Sequence, residues 1–249
     1  MTRLYNSKPM ELDEHTDQTM LPKSIYNRSR ICKEIILLYS VYYLPGLFAQ
    51  QGGFNREAFG TVGFNLWILI MAVPQMLLLF YVLELQEPET IRSLGLSFTS
   101  RAFIPRMAVT LAGLFAVAFT TSWIVESLAA GKAIFGATGS GTSWHIGSIA
   151  IVPLLLLSSL AIGYREELFF RAYLMTRLDQ MEVTPAAAVA LSAILFAAGH
   201  AYEGVAGAFV ALASGIFLAL AYRSGRNLHQ VAIAHGLYNF AILILSGTR

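Results

Sequence analysis

Residues 62–85 read VGFNLWILIMAVPQMLLLFYVLEL, with a single charged side chain, Glu84, near the far end. A transmembrane helix needs about 20 mainly apolar residues, and this stretch supplies them without interruption. Comparable stretches lie near 34–50, 107–128, 146–177, 185–202, 204–222 and 228–246. The composition of the whole chain agrees with them. Of 249 residues, 56% are hydrophobic and 13% are charged, and the mean hydropathy is +0.59. Soluble domains carry about 25% charged residues, so this chain could not cover a globular surface with polar groups. The expected fold is all-α, a polytopic transmembrane bundle of about seven (six to eight) helices in the cell membrane. Lipid is then its main surroundings.

The polar remainder sorts by position. Residues 1–33 hold six Lys/Arg and four Asp/Glu and show no apolar h-region, so they read as a cytoplasmic tail rather than a cleaved leader. Residues 34–249 read as the membrane-embedded domain, with any chemistry at about 146–245. If loops alternate between the two sides of the membrane, fourteen Lys/Arg fall on the side of the N-terminus and three (Arg56, Lys132, Arg249) on the other. This imbalance predicts a cytoplasmic N-terminus. The Gly/Ser/Thr-rich stretch 129–145 reads as a flexible loop, since no Lys follows its glycines as a phosphate-binding loop requires.

Composition also excludes several functions. The net charge is +2 and no basic run is interleaved with aromatics, so nucleic-acid binding has no footprint. Cys32 is the lone cysteine, which removes disulfide frameworks, CxxC redox motifs and cysteine-rich zinc sites.

Ionisable groups inside membrane helices are costly and mark function or buried pairs. They gather late in the chain, as Glu166, Glu167, Arg171, His200 and His235, and the polar Asn239 lies with them. The segment 164–174, YREELFFRAYL, carries four charges in the second half of a stretch too long for one straight span. It reads either as a span followed by a short helix or as one tilted helix. In a helix Glu167 and Arg171 are i and i+4, the favoured order for an ion pair. Glu166 lies about 100° around and is left for another task. Phe196 and His200 share a face, as do His235 and Asn239. Glu166 and His200 lie at similar distances from the turn near residue 181, which places them within roughly 6 Å of one depth across an antiparallel hairpin. Gly207, Ala211, Gly215 and Ala219 form a small-residue stripe suited to close helix packing.

A carboxylate with an imidazole suffices to activate water, and a further imidazole and carboxamide could hold an oxyanion. Hydrolysis of an amide without a covalent intermediate follows. There is no GxSxG for a serine nucleophile. Zinc on Glu166, His200 and His235 is the rival, although HExxH is missing; the expectation is no metal and no other cofactor. Two non-hydrolytic readings stand beside it. One is a membrane protein that binds a peptide or partner, as an immunity factor would. The other is a transporter with a Glu166–His200 proton relay, which the unlike halves of the chain disfavour.

EELFFR, FAAGH and HGLYN resemble, in order and spacing, the signature boxes of the CAAX protease and bacteriocin-processing (CPBP) family of intramembrane glutamic proteases. SLGL at 93–96 resembles a minor feature of its bacterial members. The resemblance implies Glu166 as the base that activates water, His200 as its partner in positioning that water, and His235 with Asn239 as the oxyanion hole. Glu167 and Arg171 would shape and neutralise the site, and Phe196 would wall it. Implied substrates are hydrophobic or lipidated peptides or proteins. His229 has no implied role, and His15 and His145 read as loop residues.

Overall fold

The computed structural model describes residues 27–49, 56–86, 94–96, 101–129 and 149–247. The predicted tail up to residue 26 and most of the 129–145 loop, with His15 and His145, lie outside the described residues. What is described is helical: α1 (Arg28–Ala49), α2 (Val62–Gln86), α3 (Phe103–Ala129), α4 (Val152–Glu167), α5 (Met175–Gln180), α6 (Pro185–Gly199), α7 (Gly204–Gly225) and α8 (Leu228–Gly247). The predicted all-α bundle is therefore what the chain forms. Among the described residues, five helical stretches are long and apolar enough to cross a membrane: Val62–Leu85, Phe103–Leu128, Ile149–Gln180, Ala201–Gly225 and Leu228–Ser246. The first helix starts at Arg28, six residues before its expected span, and takes Arg28, Arg30 and Lys33 into its first turns. The fifth apolar stretch gives only a 15-residue helix, α6, which stops at Gly199.

The polarity of the molecule is inverted relative to a soluble protein. Large apolar side chains such as Ile70, Val109, Phe119 and Trp123 are over half exposed, whereas Glu167, Arg171 and Arg177 are 0–1% exposed. Apolar groups outside and charges paired inside are what a hydrocarbon solvent selects. The protein is a multi-pass membrane protein.

The stretch at 146–177 is one long rod with a defect. It enters through a 3₁₀ turn (Ile149–Ile151), runs as α4 to Glu167, switches to a π-helix over Leu168–Leu174 and continues as α5. Every residue of the π segment is buried. A π turn widens the helix by one residue per turn and is concentrated at functional sites. Neither of the two expected forms of this segment included it.

α4 packs most extensively against α8, and the two run antiparallel. Two glycines allow the contact. A Cβ on Gly163 would lie 2.6 Å from the Gly236 nitrogen and 2.7 Å from the Ala232 oxygen. One on Gly236 would lie 2.7 Å from Leu160 Cα. Both obstacles are backbone, which cannot step aside as a side chain can. Gly163→Ala is accordingly expected to force α4 and α8 apart, costing about 1–3 kcal/mol, with a lower melting temperature in detergent as the readout. Gly215 plays the same part between α7 and α6, where its Cβ would lie 3.2 Å from Ala193 Cα. In the predicted stripe, Ala211, Gly215 and Ala219 are buried.

The Leu94–Leu96 piece of SLGL closes one end of the bundle. Leu94 is buried, its carbonyl accepts from the Leu228 N–H at 3.1 Å, and Gly95 has φ +70°. A side chain at Gly95 would strike the Arg226 carbonyl at 1.7 Å, so only glycine fits against the α7–α8 turn. At the same end Asp179 pairs with Arg223 and Arg226, both at 3.3 Å.

Candidate active site

The two carboxylates at the end of α4 take different partners. Glu167 is fully buried. Its Oε2 lies 3.0 Å from Arg171 Nε, and its Oε1 accepts from His235 Nδ1 at 2.9 Å. The i, i+4 pair thus forms as spacing predicted, even though the helix changes type between its members. The Arg171 guanidinium reaches on to the Gly215 carbonyl at 3.3 Å and sits 4.9 Å from the Phe196 ring centroid. Phe196 is therefore more than a wall: its π face supports the cation.

Glu166 faces elsewhere. Its Oε1 accepts from Arg165 NH2 at 3.1 Å. Its Oε2 points between two imidazoles, 4.0 Å from His200 Nε2 and 3.9 Å from His235 Nε2, and is buried without a hydrogen-bond partner among the described residues. The hairpin argument had placed Glu166 and His200 at one depth, and the side chains meet there. Arg165, which spacing did not single out, is the cation beside Glu166.

Both histidines are oriented from behind. His200 caps α6, and its Nδ1 donates to the Phe196 carbonyl at 2.8 Å. His235 Nδ1 donates to Glu167. A carbonyl and a carboxylate only accept, so each Nδ1 carries a proton. In the neutral tautomer each Nε2 then presents a lone pair toward Glu166 Oε2, and in the imidazolium form it presents a proton, so the pair can serve as acceptor or donor at the point the three atoms face.

Asn239 sits one turn beyond His235 on α8, half-buried. Among the described residues nothing hydrogen-bonds its carboxamide. His229, left without a role by the sequence, bonds Tyr164 across α4 and α8 at 2.9 Å. Ser192 donates to the Phe170 carbonyl at 3.1 Å and is structural. Among the described residues no group of three or more His, Cys, Asp or Glu is disposed to hold a metal ion.

Sequence reasoning missed what α1 contributes. Tyr39, Tyr42 and Tyr43 pack as one aromatic face against Phe169, with centroid separations of 6.1, 5.3 and 5.4 Å. The i, i+3, i+4 spacing of these tyrosines was the available signal. Below them, Glu34 accepts from Tyr173 and from Arg177 Nε, each at 2.9 Å, tying α1 to the π segment and α5.

A polytopic helical membrane protein with a buried carboxylate–imidazole cluster is the class these features define. Residues 148–241 match the family model of the Rce1-like proteins, described as type II CAAX prenyl endopeptidase Rce1-like. The matched segment contains EELFFR, FAAGH and HGLYN, the three boxes that carry the resemblance to the CPBP family. No curated protein and no solved structure matches the chain.

Proposed function

We propose that this protein is an intramembrane endopeptidase of the glutamic type. The observation that carries the reading is the position of Glu166 Oε2, buried, unpartnered and facing two imidazole nitrogens at 3.9 and 4.0 Å. Separations of this size suit one water bridging the three groups. Glu166, with His200, takes a proton from that water as its oxygen attacks the carbonyl carbon of the scissile bond. The carbonyl π pair moves onto oxygen. The Asn239 amide and a protonated His235 donate to the oxyanion, with the Glu167 carboxylate holding the His235 ring from behind. Collapse breaks the C–N bond, and the proton held by the Glu166–His200 pair passes to the leaving nitrogen. One water is consumed, and one acid and one amine are formed.

The family match supports a short hydrophobic or lipidated peptide tail as substrate. Fourteen of the seventeen Lys/Arg falling on one side supports a cytoplasmic N-terminus.

The test is cleavage of a farnesylated heptapeptide and its unprenylated counterpart by detergent-purified protein. The expected result is hydrolysis unaffected by chelator, with no aminolysis product when hydroxylamine is added, because no acyl-enzyme forms. Chelator inhibition would favour the zinc version, with Glu166, His200 and His235 as ligands. Binding of peptide without cleavage would favour the non-catalytic, immunity-type reading.

A further inference from the structure

We infer that Tyr43 of α1 is a substrate-binding residue whose hydroxyl donates a hydrogen bond to a peptide carbonyl entering beside Glu166. This rests on the endopeptidase reading and extends it to a helix outside the matched segment 148–241.

The three tyrosines of α1 differ in one respect. The Tyr39 hydroxyl donates to the Leu195 carbonyl at 2.9 Å, and the Tyr42 hydroxyl donates to the Gln75 carbonyl. Tyr43 is 6% exposed, and its hydroxyl is buried without a hydrogen-bond partner among the described residues. Leaving a buried hydroxyl unpaired is costly, and a nearby helix carbonyl would have served, as it does for its two neighbours. The ring itself is fixed, stacked on Tyr39 at 5.0 Å and set against Phe170 at 5.1 Å.

Its surroundings are those of the site. A Cβ on Gly199, the residue before His200, would lie 3.0 Å from the Tyr43 ring. Its ring also packs against Phe169 and Phe170, which follow Glu166 and Glu167 on the same rod. Three buried oxygens of this cluster lack hydrogen-bond partners among the described residues; Glu167 Oε2 has the Arg171 guanidinium at 3.0 Å as counter-charge, which leaves the Tyr43 hydroxyl and Glu166 Oε2. An extended peptide brings both kinds of group they need: a reacting carbonyl with its water for Glu166, and neighbouring backbone carbonyls that accept from a phenol.

The experiment compares wild type, Tyr43→Phe and Tyr39→Phe on the farnesylated heptapeptide, with binding measured separately in a Glu166→Gln background. Tyr43→Phe is expected to raise KM and weaken binding by about tenfold or more. Its kcat should stay within about threefold, and its melting temperature should be unchanged or higher. Tyr39→Phe, which loses a satisfied bond, should melt lower with KM unaltered. Unchanged KM and binding in Tyr43→Phe would overturn the inference while leaving the protease reading intact. Full turnover by Glu166→Gln, or no binding of the heptapeptide by that variant, would overturn the protease reading and this inference with it.

Discussion

Glu166→Gln should reduce kcat by about 10²–10⁴, the usual worth of a general base, while the melting temperature in detergent stays near wild type. The two outcomes separate because of how the carboxylate is held. Its Oε1 accepts from Arg165, and a carboxamide oxygen can do the same. Its Oε2 has no partner to lose. Glu167→Gln, one residue away, should behave differently. Glu167 meets Arg171 with one oxygen and His235 with the other at 0% exposure. A neutral amide offers one acceptor in place of two, leaves a buried guanidinium without its counter-charge, and releases the His235 ring from its orientation. That variant should lose both stability and activity. Equal effects at the two positions, or a Glu166→Gln enzyme that still turns over, would defeat the assignment of the base.

Arg171→Met is expected to show the largest loss of stability, about 3–5 kcal/mol, as found when one partner of a buried ion pair is removed. In a chain of this size that is on the order of a 10 °C fall in melting temperature. The cost arises from what remains: a carboxylate at 0% exposure with His235 as its remaining polar partner among the described residues, and a Phe196 ring deprived of its cation. Adding Glu167→Leu should return part of the loss, because the pair rather than either member satisfies the interior. Thermal unfolding of the two single variants and the double variant gives the coupling. Strict additivity would mean that the pair is not the unit holding α4 and the π segment to α7.

Much of this architecture was legible because membrane helices announce themselves by local composition. The second, third and last two apolar stretches became helices close to their expected bounds. Local spacing also found Glu167 with Arg171, and Phe196 with His200. The rest depends on contacts between residues far apart in the chain. That His235 would turn Nδ1 to Glu167 and Nε2 toward Glu166 follows from the α4–α8 distance. That distance is set by Gly163 and Gly236 meeting backbone to backbone. A glycine in an apolar run reads alike whether it faces lipid or another helix. The π turn escaped for a related reason: no residue in LFFRAYL forbids an ordinary α-helix. Arg165 and the α1 tyrosines reach the cluster only through the tertiary fold.

The long rod from Ile149 to Gln180 also acts as a ruler. It is 32 residues in length, with charged side chains from Asp179, Arg223, Arg226 and Glu182 collected around its end. Glu166 lies fourteen residues before that end, about 20 Å along a helix, and seventeen residues, about 26 Å, from the other. An extended chain advances about 3.3 Å per residue. On the endopeptidase reading proposed above, a tail threading in from the nearer rim needs roughly six unfolded residues before it reaches Glu166. Any folded body carrying that tail stays outside, so the depth of one carboxylate would set a minimum leash for the substrates of such an enzyme.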